Sequence, residues 1–254
     1  MTQTSRSFPY KSYIPFYANG LGISNNATTP NTKLNIATGN TLDSTGTFQI
    51  SLDSAAVIDA TTNGLNGLDT GSLAASKVYA VFLVADPVNL QAAGCMISLS
   101  YTAPLLPSGY SAFALIGYVV TDASIHFLPG YWTAGNGSSR LFMYDAPQAT
   151  AITAGTATSY TAIDLSTLVP TVDNLPVWVA SALTPDAASR TLKLQPTGAT
   201  GDAITITGQV AAVVVSSNNL VLAKLSSSLP KISYKVSNAS AAAAINVAGF
   251  QFFI

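Results

Sequence analysis

The chain has 254 residues, a net charge of −1 and only 8% charged residues, against the roughly 25% usual in soluble domains. Lysine and arginine are scattered singly, which excludes the basic footprint of nucleic-acid or anionic-membrane binding, and no apolar run approaches the ~20 residues that a membrane-spanning helix needs. All eleven acids are Asp; without Glu, a good helix former, and with Asp favouring turns and caps, the composition predicts an all-β chain.

Abundant Ala is the contrary sign, and is assigned here to small filler between closely packed sheets or at a subunit contact. A surface so poor in charge favours association. The single Cys95 excludes an intramolecular disulfide framework and is expected as a buried small apolar residue. The first residues hold Arg6 and Lys11 but no apolar core of a secretory signal, so folding in the cytoplasm where the chain is made is expected.

Taken in order, residues 1–18 form an extended arm. Phe8, Tyr10, Tyr13, Phe16 and Tyr17 alternate with Pro9 and Pro15, which exclude a helix. The arm either packs on its own domain or docks its aromatic side chains on a neighbouring subunit. From residue 19 to 146 the pattern predicts a first β-sandwich domain. Lys33–Ile36 and Thr47–Leu52 alternate with the period of half-buried strands. One helical turn is predicted over Ser72–Ser76. Val78–Ala85 and Ala112–Val120 are continuous apolar runs fenced by Pro and Gly, the second read as the buried central strand with the first paired beside it.

Asp145-Ala146-Pro147 marks the expected boundary, and residues 147–254 a second, distal sandwich. Its predicted strands lie at Trp178–Val179, Thr191–Leu194, Ala203–Thr207, Ala211–Val215, Lys231–Val236 and Ala244–Phe253, with turn signals on the order of ten residues apart. In the last strand the apolar phase shifts between Val247 and Phe250, which predicts a bulge near Ala248-Gly249. The fold expected is thus two jelly-roll-like β-sandwich domains preceded by the arm.

The chemistry-bearing residues are few. His126 is expected as a strand residue at the rim of the core; no Gly-x-Ser-x-Gly elbow accompanies it. One His and one Cys are too few for a zinc site, no Asp-x-Asp-x-Asp-Gly calcium loop occurs, and the Asp residues are expected to cap turns. No catalytic residue, cofactor or metal is therefore expected. Asn26, Asn136 and Asn238 begin Asn-x-Ser/Thr triplets, which composition alone generates. Tyr131 and Trp132, beside a Gly-rich turn, suggest a surface aromatic contact: a sugar-stacking platform with Asn136 and Asp145 as polar partners, an interface anchor, or core-edge packing.

Three segments, LGISNNATTPNTKLNIATGNTLDSTG (Leu21–Gly46), NGLDTGSLAASKVYAVFLVAD (Asn66–Asp86) and LLPSGYSAFALIGYVVTD (Leu105–Asp122), resemble in this order a β-rich module of tail-fibre and other virion structural proteins of tailed bacteriophages. Where such modules often carry two arginines after LPSGY, this chain has Ser111-Ala112-Phe113-Ala114. AIDLSTLVP, LKLQPTGATGD and YKVSNAS in the second half resemble the distal sandwich domains of such fibres. The resemblance implies a non-enzymatic virion protein, a homotrimer of the tail-appendage type in contact with other virion proteins and with a host cell-surface glycan. A capsid decoration protein and a small glycan-degrading appendage are the alternatives.

Overall fold

The structure is a computed structural model and describes residues 18–133, 135–137, 139–201 and 204–253. Among these no helix occurs; the fold is all-β and of sandwich type, as the missing Glu and the turn-rich text predict. The strands are β1 (Ala18–Gly20), β2 (Ile23–Asn25), β3 (Lys33–Ile36), β4 (Gly39–Leu42), β5 (Gln49–Leu52), β6 (Ala56–Asp59), β7 (Val78–Asp86), β8 (Gln91–Ser98), β9 (Ala112–Val120) and β10 (Gly130–Trp132). They continue with β11 (Gly135–Gly137), β12 (Ser139–Gly155), β13 (Thr161–Asp164), β14 (Leu175–Thr184), β15 (Arg190–Pro196), β16 (Ile204–Gly208), β17 (Val215–Ser226), β18 (Leu229–Val236) and β19 (Ala242–Phe253).

Two compact units emerge, one of Met1–Phe142 with Phe252–Ile254, the other of Met143–Gln251. The boundary expected at Asp145–Pro147 falls inside β12, which runs unbroken from Ser139 to Gly155.

In the first unit three sheets form: β11-β1-β4-β5, β8-β7-β9, and β10-β2-β3-β6 joined by the opening residues of β12. The apolar runs at Val78 and Ala112 do pair, but the centre of their sheet is β7, buried along all nine residues, and β9 is its edge. An apolar run shows that both faces are covered and is silent about which strand has two neighbours. The far edge of β9 is closed by other means. Its Ile116, Tyr118 and Val120 carbonyls accept from Arg140 Nη1 at 3.0 Å, Trp132 Nε1 at 2.7 Å and the Leu128 N–H at 2.8 Å, which removes a ladder that would otherwise template pairing with another chain. Ile116 is also a bulge: Val81 pairs with Gly117 and Phe82 with Leu115, leaving Ile116 without an opposite residue.

Residues 72–76 form no helical turn. The Ala74 N–H donates to the Tyr79 hydroxyl at 2.8 Å and its carbonyl accepts from Thr121 Oγ1 at 2.7 Å, so its backbone groups are taken by tertiary partners.

The second unit is a two-layered sandwich. One layer has the order β12-β19-β14-β17, the other β16-β15-β18 with β13 also on β18. β17 belongs to both: Val215 to Ala223 pair with β14, and Lys224 to Ser226 turn to β18. Between the layers lie Val177, Val179, Leu183, Val221, Ile245 and Val247 from one side and Leu192, Leu194, Ile206, Ile232 and Val236 from the other, all buried. The expected bulge is present: Trp178 pairs with Gly249 and Val179 with Val247, so Ala248 is the extra residue that moves the apolar phase to Phe250 and Phe252. The strand expected over Ala211–Val215 begins only at Val215. Ala212, at a left-handed φ of 59°, donates to the Pro185 carbonyl at 2.7 Å and ends any extended run there.

Candidate functional site: an uncharged sheet face and an aromatic cleft

Tyr131 and Trp132 are neighbours on β10, so the period of two sends them to opposite faces. Tyr131 is 54% exposed, whereas Trp132 is 6% exposed, its ring 4.8 Å from Phe142 and its indole N–H on the Tyr118 carbonyl. The pair therefore does not make one surface platform: Trp132 seals the β9 edge and only Tyr131 faces outward. Of the polar partners expected for them, Asp145 is exposed on β12, and the Asn136 side chain lies outside the described residues, as do Phe8, Tyr10, Tyr13, Phe16 and Tyr17 of the arm.

His126 is an exposed turn residue and not a strand residue at the core rim. Its Nδ1 lies 3.8 Å from Asp122 Oδ2, while Asp122 Oδ1 accepts from the Ser124 and His126 N–H groups at 2.8 Å each. Four further carboxylates behave alike. Asp43 accepts from Thr45 Oγ1 and the Thr47 and Phe48 N–H groups, Asp59 from the Thr61 N–H and hydroxyl, Asp86 from the Val88 and Asn89 N–H groups, and Asp164 from the Ser166 N–H. These are Asx-type turn caps. The triplets at Asn26 and Asn238 are explained the same way, Asn26 Oδ1 accepting from the Thr28 and Thr29 N–H groups and Asn238 Oδ1 from the Ser240 N–H. Among the described residues no three His, Cys, Asp or Glu side chains gather where they could hold a metal ion. Cys95 is fully buried, and burial pushes its thiol up to about 12.

Arg140, unremarked in the sequence, is the largest fully buried side chain of the first unit at 1% exposure. Its Nη1 donates to the Leu21 and Ile116 carbonyls at 2.8 and 3.0 Å, and its Nη2 to the Gly20 carbonyl at 2.7 Å. None of these partners is a carboxylate, and desolvation pulls the guanidinium down to about 10. The two carbonyls at 20 and 21 belong to consecutive left-handed residues, Gly20 at φ 69° and Leu21 at φ 54°, so the guanidinium holds a conformation that Leu does not adopt readily.

Two surface features remain. In the second unit the outer face of β17, β14 and β19 carries Ser216, Asn218, Leu220 and Leu222, then Pro176, Trp178, Ala180 and Ala182, then Ala242, Ala244 and Asn246. None of these is charged; Lys224 follows at one end of the patch. Leu220, opposite Trp178, is 44% exposed, Leu222 is also exposed, and the Trp178 Nε1 has no acceptor among the described residues. In the first unit a cleft of about 330 Å³ is lined by Leu42, Asp43, Ser44, Phe82, Tyr101, Thr102, Phe113, Ala114 and Leu115. Phe82 and Phe113 meet edge-on at 5.6 Å in its wall, and Tyr101 stands edge-on to Tyr118 at 5.3 Å.

No family model matches the chain, and no curated protein does. Among solved structures, an exo-β-1,3-galactanase of Phanerochaete chrysosporium with galactose aligns with 98% of this chain and 68% of its own, at 11% identity and a TM-score of 0.19. A score that low carries no argument about fold or chemistry.

Proposed function

We propose that this chain is a non-enzymatic structural protein of a tailed-bacteriophage virion, of the tail-fibre or tail-appendage type, and that it works as a homotrimer. The observation that supports this reading best is the uncharged outer face of β17, β14 and β19. Three strands ~4.8 Å apart, rising ~3.3 Å per residue over nine registered positions, make a flat patch on the order of 400 Å². At ~25 cal/mol per Å² of apolar area its burial is worth at most about 10 kcal/mol before the costs of association, the share covered by Ser216, Asn218 and Asn246 adding nothing, and no ion has to be desolvated. The small side chains of Ala180, Ala182, Ala242 and Ala244 let sheets approach closely.

The phage assignment rests on the sequence resemblance of both halves. In it the first unit and the arm attach to the particle, the second unit projects, and a host glycan is the distal contact. Purified protein is expected to sediment as a trimer, and Ala180→Asp, at the centre of the face, to sediment as a monomer with an unchanged far-ultraviolet dichroism spectrum. A wild-type chain that stays monomeric at millimolar concentration refutes the reading. Copy number per particle separates the appendage, with a few trimers, from a head decoration protein present in hundreds of copies.

A further inference from the structure

Lys193, Lys224, Lys231 and Lys235 are four of the ten Lys and Arg residues, and in the sequence each reads as an isolated surface cation. Strand pairing gathers them. Lys193 of β15 lies directly opposite Lys235 of β18, and Lys231 of β18 directly opposite Lys224 of β17. Residues opposite one another in an antiparallel ladder have Cβ atoms ~4.5–5.5 Å apart on one face, where two like charges are destabilising. Leu192, Leu194, Ile232, Tyr234 and Val236 are buried against the other layer, so alternation sends Lys193, Lys231 and Lys235 to the outer face of β16-β15-β18. Lys231 and Lys235 stand ~13 Å apart along β18, at ~3.3 Å per residue. Among the described residues, Asp164 of β13, opposite Lys231, is the one carboxylate in register with any of the four. Two like-charge pairs sharing one strand raise the positive potential at this face, whatever else each lysine touches, and such a face concentrates an anionic partner.

The surroundings suit a hydroxylated polymer. Lys235 Nζ lies 4.2 Å over the Tyr160 ring, which holds the ammonium in place at the surface. Thr205 stands opposite Lys193 and Thr207 opposite Thr191, so hydroxyl groups flank the first pair. Between the pairs the turn after β15 closes over Ser233 and Gln195: Thr197 Oγ1 and Ser233 Oγ are 3.0 Å apart, and Gln195 Nε2 donates to the Ala199 carbonyl at 3.0 Å. The face thus has two cationic ends and an uncharged polar middle. We propose that it binds an acidic polysaccharide, whose acidic groups are taken by the Lys193–Lys235 and Lys231–Lys224 pairs and whose sugar hydroxyls meet Thr191, Thr205 and Thr207. This gives the chemical class of the host-glycan contact in the proposed function and rests on that reading. The two layers of the sandwich turn their outer faces opposite ways, so a trimer closed through the uncharged face of β17, β14 and β19 carries its lysine faces outside, in three copies suited to a repetitive polymer. Single-stranded nucleic acid fits less well, because it needs a ring on which bases stack, and the Tyr160 ring lies under Lys235.

The test uses the full-length chain against immobilised polygalacturonate, dextran sulfate, neutral dextran and single-stranded DNA. At low ionic strength, binding to at least one acidic polysaccharide is expected, with none to neutral dextran and release at ~1 M salt. The two acidic arms tell carboxylate from sulfate recognition. Lys193→Gln/Lys235→Gln is expected to weaken that binding about tenfold or more with an unchanged far-ultraviolet dichroism spectrum, and Lys193→Arg/Lys235→Arg to retain it. Lys33→Gln/Lys77→Gln, which alters the net charge equally from the first unit, is expected to leave binding unchanged. Failure to bind either acidic polymer, wild-type binding by the 193/235 glutamine variant, or an equal loss in both glutamine variants overturns the proposal. Tighter binding to DNA than to both polysaccharides overturns the glycan assignment. Sedimentation of the same samples separates the two readings: a trimer that binds no acidic polymer refutes this inference alone, and a monomer that binds one refutes the assembly alone.

Discussion

Removing the Arg140 guanidinium is the most informative single perturbation of the first unit. Its burial disfavours the charged form by the drop from 12.5 to about 10, equivalent to about 3 kcal/mol at ~1.4 kcal/mol per pH unit. Against that stand three charge-assisted hydrogen bonds to the Gly20, Leu21 and Ile116 carbonyls, each worth ~1.5–3 kcal/mol. The balance favours the native residue by about 2–6 kcal/mol. Replacing a buried ion pair with apolar residues is often neutral because both charges leave together. Here the acceptors are backbone and stay behind. Arg140→Met fills a similar volume but leaves three carbonyls without a donor, at ~1–3 kcal/mol each, or about 3–9 kcal/mol in all; set against the relief of about 3 kcal/mol of desolvation, the expected loss is up to about 6 kcal/mol. That is a large part of the ~5–15 kcal/mol that holds a domain together. Arg140→Lys reaches one or two of the three oxygens and falls between. Urea unfolding followed by near-ultraviolet dichroism measures the series, the transition of the first unit moving and that of the second remaining. A Met variant as stable as wild type refutes the claim that the guanidinium holds the Gly20-Leu21 turn and the Ile116 bulge in place.

Three further outcomes are expected. Cys95, with its thiol pushed up to about 12 by burial, resists Ellman's reagent in the native protein and reacts within seconds in denaturant; fast native labelling contradicts the burial of β8. Asp59 is held at about 2, chiefly by the Thr61 hydroxyl and then by Lys33 at 2.9 Å, so its contribution is complete above pH 4 and lost as pH falls through 2. Because the pair is partly exposed the effect is limited to about 1 kcal/mol, and Asp59→Asn should flatten the stability curve between pH 4 and 2 while leaving its shape above pH 5 unchanged. Trp132→Phe keeps the contact with Phe142 but strips the Tyr118 carbonyl of its donor, lowering stability by about 1–3 kcal/mol; a loss no larger than that of Tyr131→Phe counts against edge sealing.

The strands legible in the sequence were those whose apolar pattern is set by burial alone. Lys33–Ile36 and Ala112–Val120 match the observed β3 and β9 end to end, and the phase shift at Ala248 marked a real bulge. The strands that were missed have their pattern spoiled by something outside themselves. Along β17 the outward positions pass from Ser216 and Asn218 to Leu220 and Leu222, so alternation vanishes although the strand continues to pair with β14. β12 contains Pro147 within a sequence that looks like a linker. At β10, two adjacent aromatics cannot both face the core, and which one does is decided by its pairing of Tyr131 with Ser24, a choice without local signal. Arg140 was invisible for the plainest reason: its Leu21 partner is 119 residues away, and an isolated Arg in a mixed segment resembles any surface cation.

The absence of Glu connects the turns to the faces. A carboxylate on a short side chain reaches the N–H groups two to five residues further on, as at Asp43, Asp59, Asp86, Asp122 and Asp164, and is thereby committed to the turn. A longer side chain would be free to stand on a strand and project from the sheet. With acids drawn into turns, the outward positions of β14 and β19 are left to Ala, Asn, Pro and Trp, and the sheet keeps a neutral face with Lys224 at one end of it. Such a face gains nothing from electrostatic steering and loses little to salt. The association proposed for it should therefore persist at 1 M salt, where one built on ion pairs across a Debye length of ~3 Å would fail.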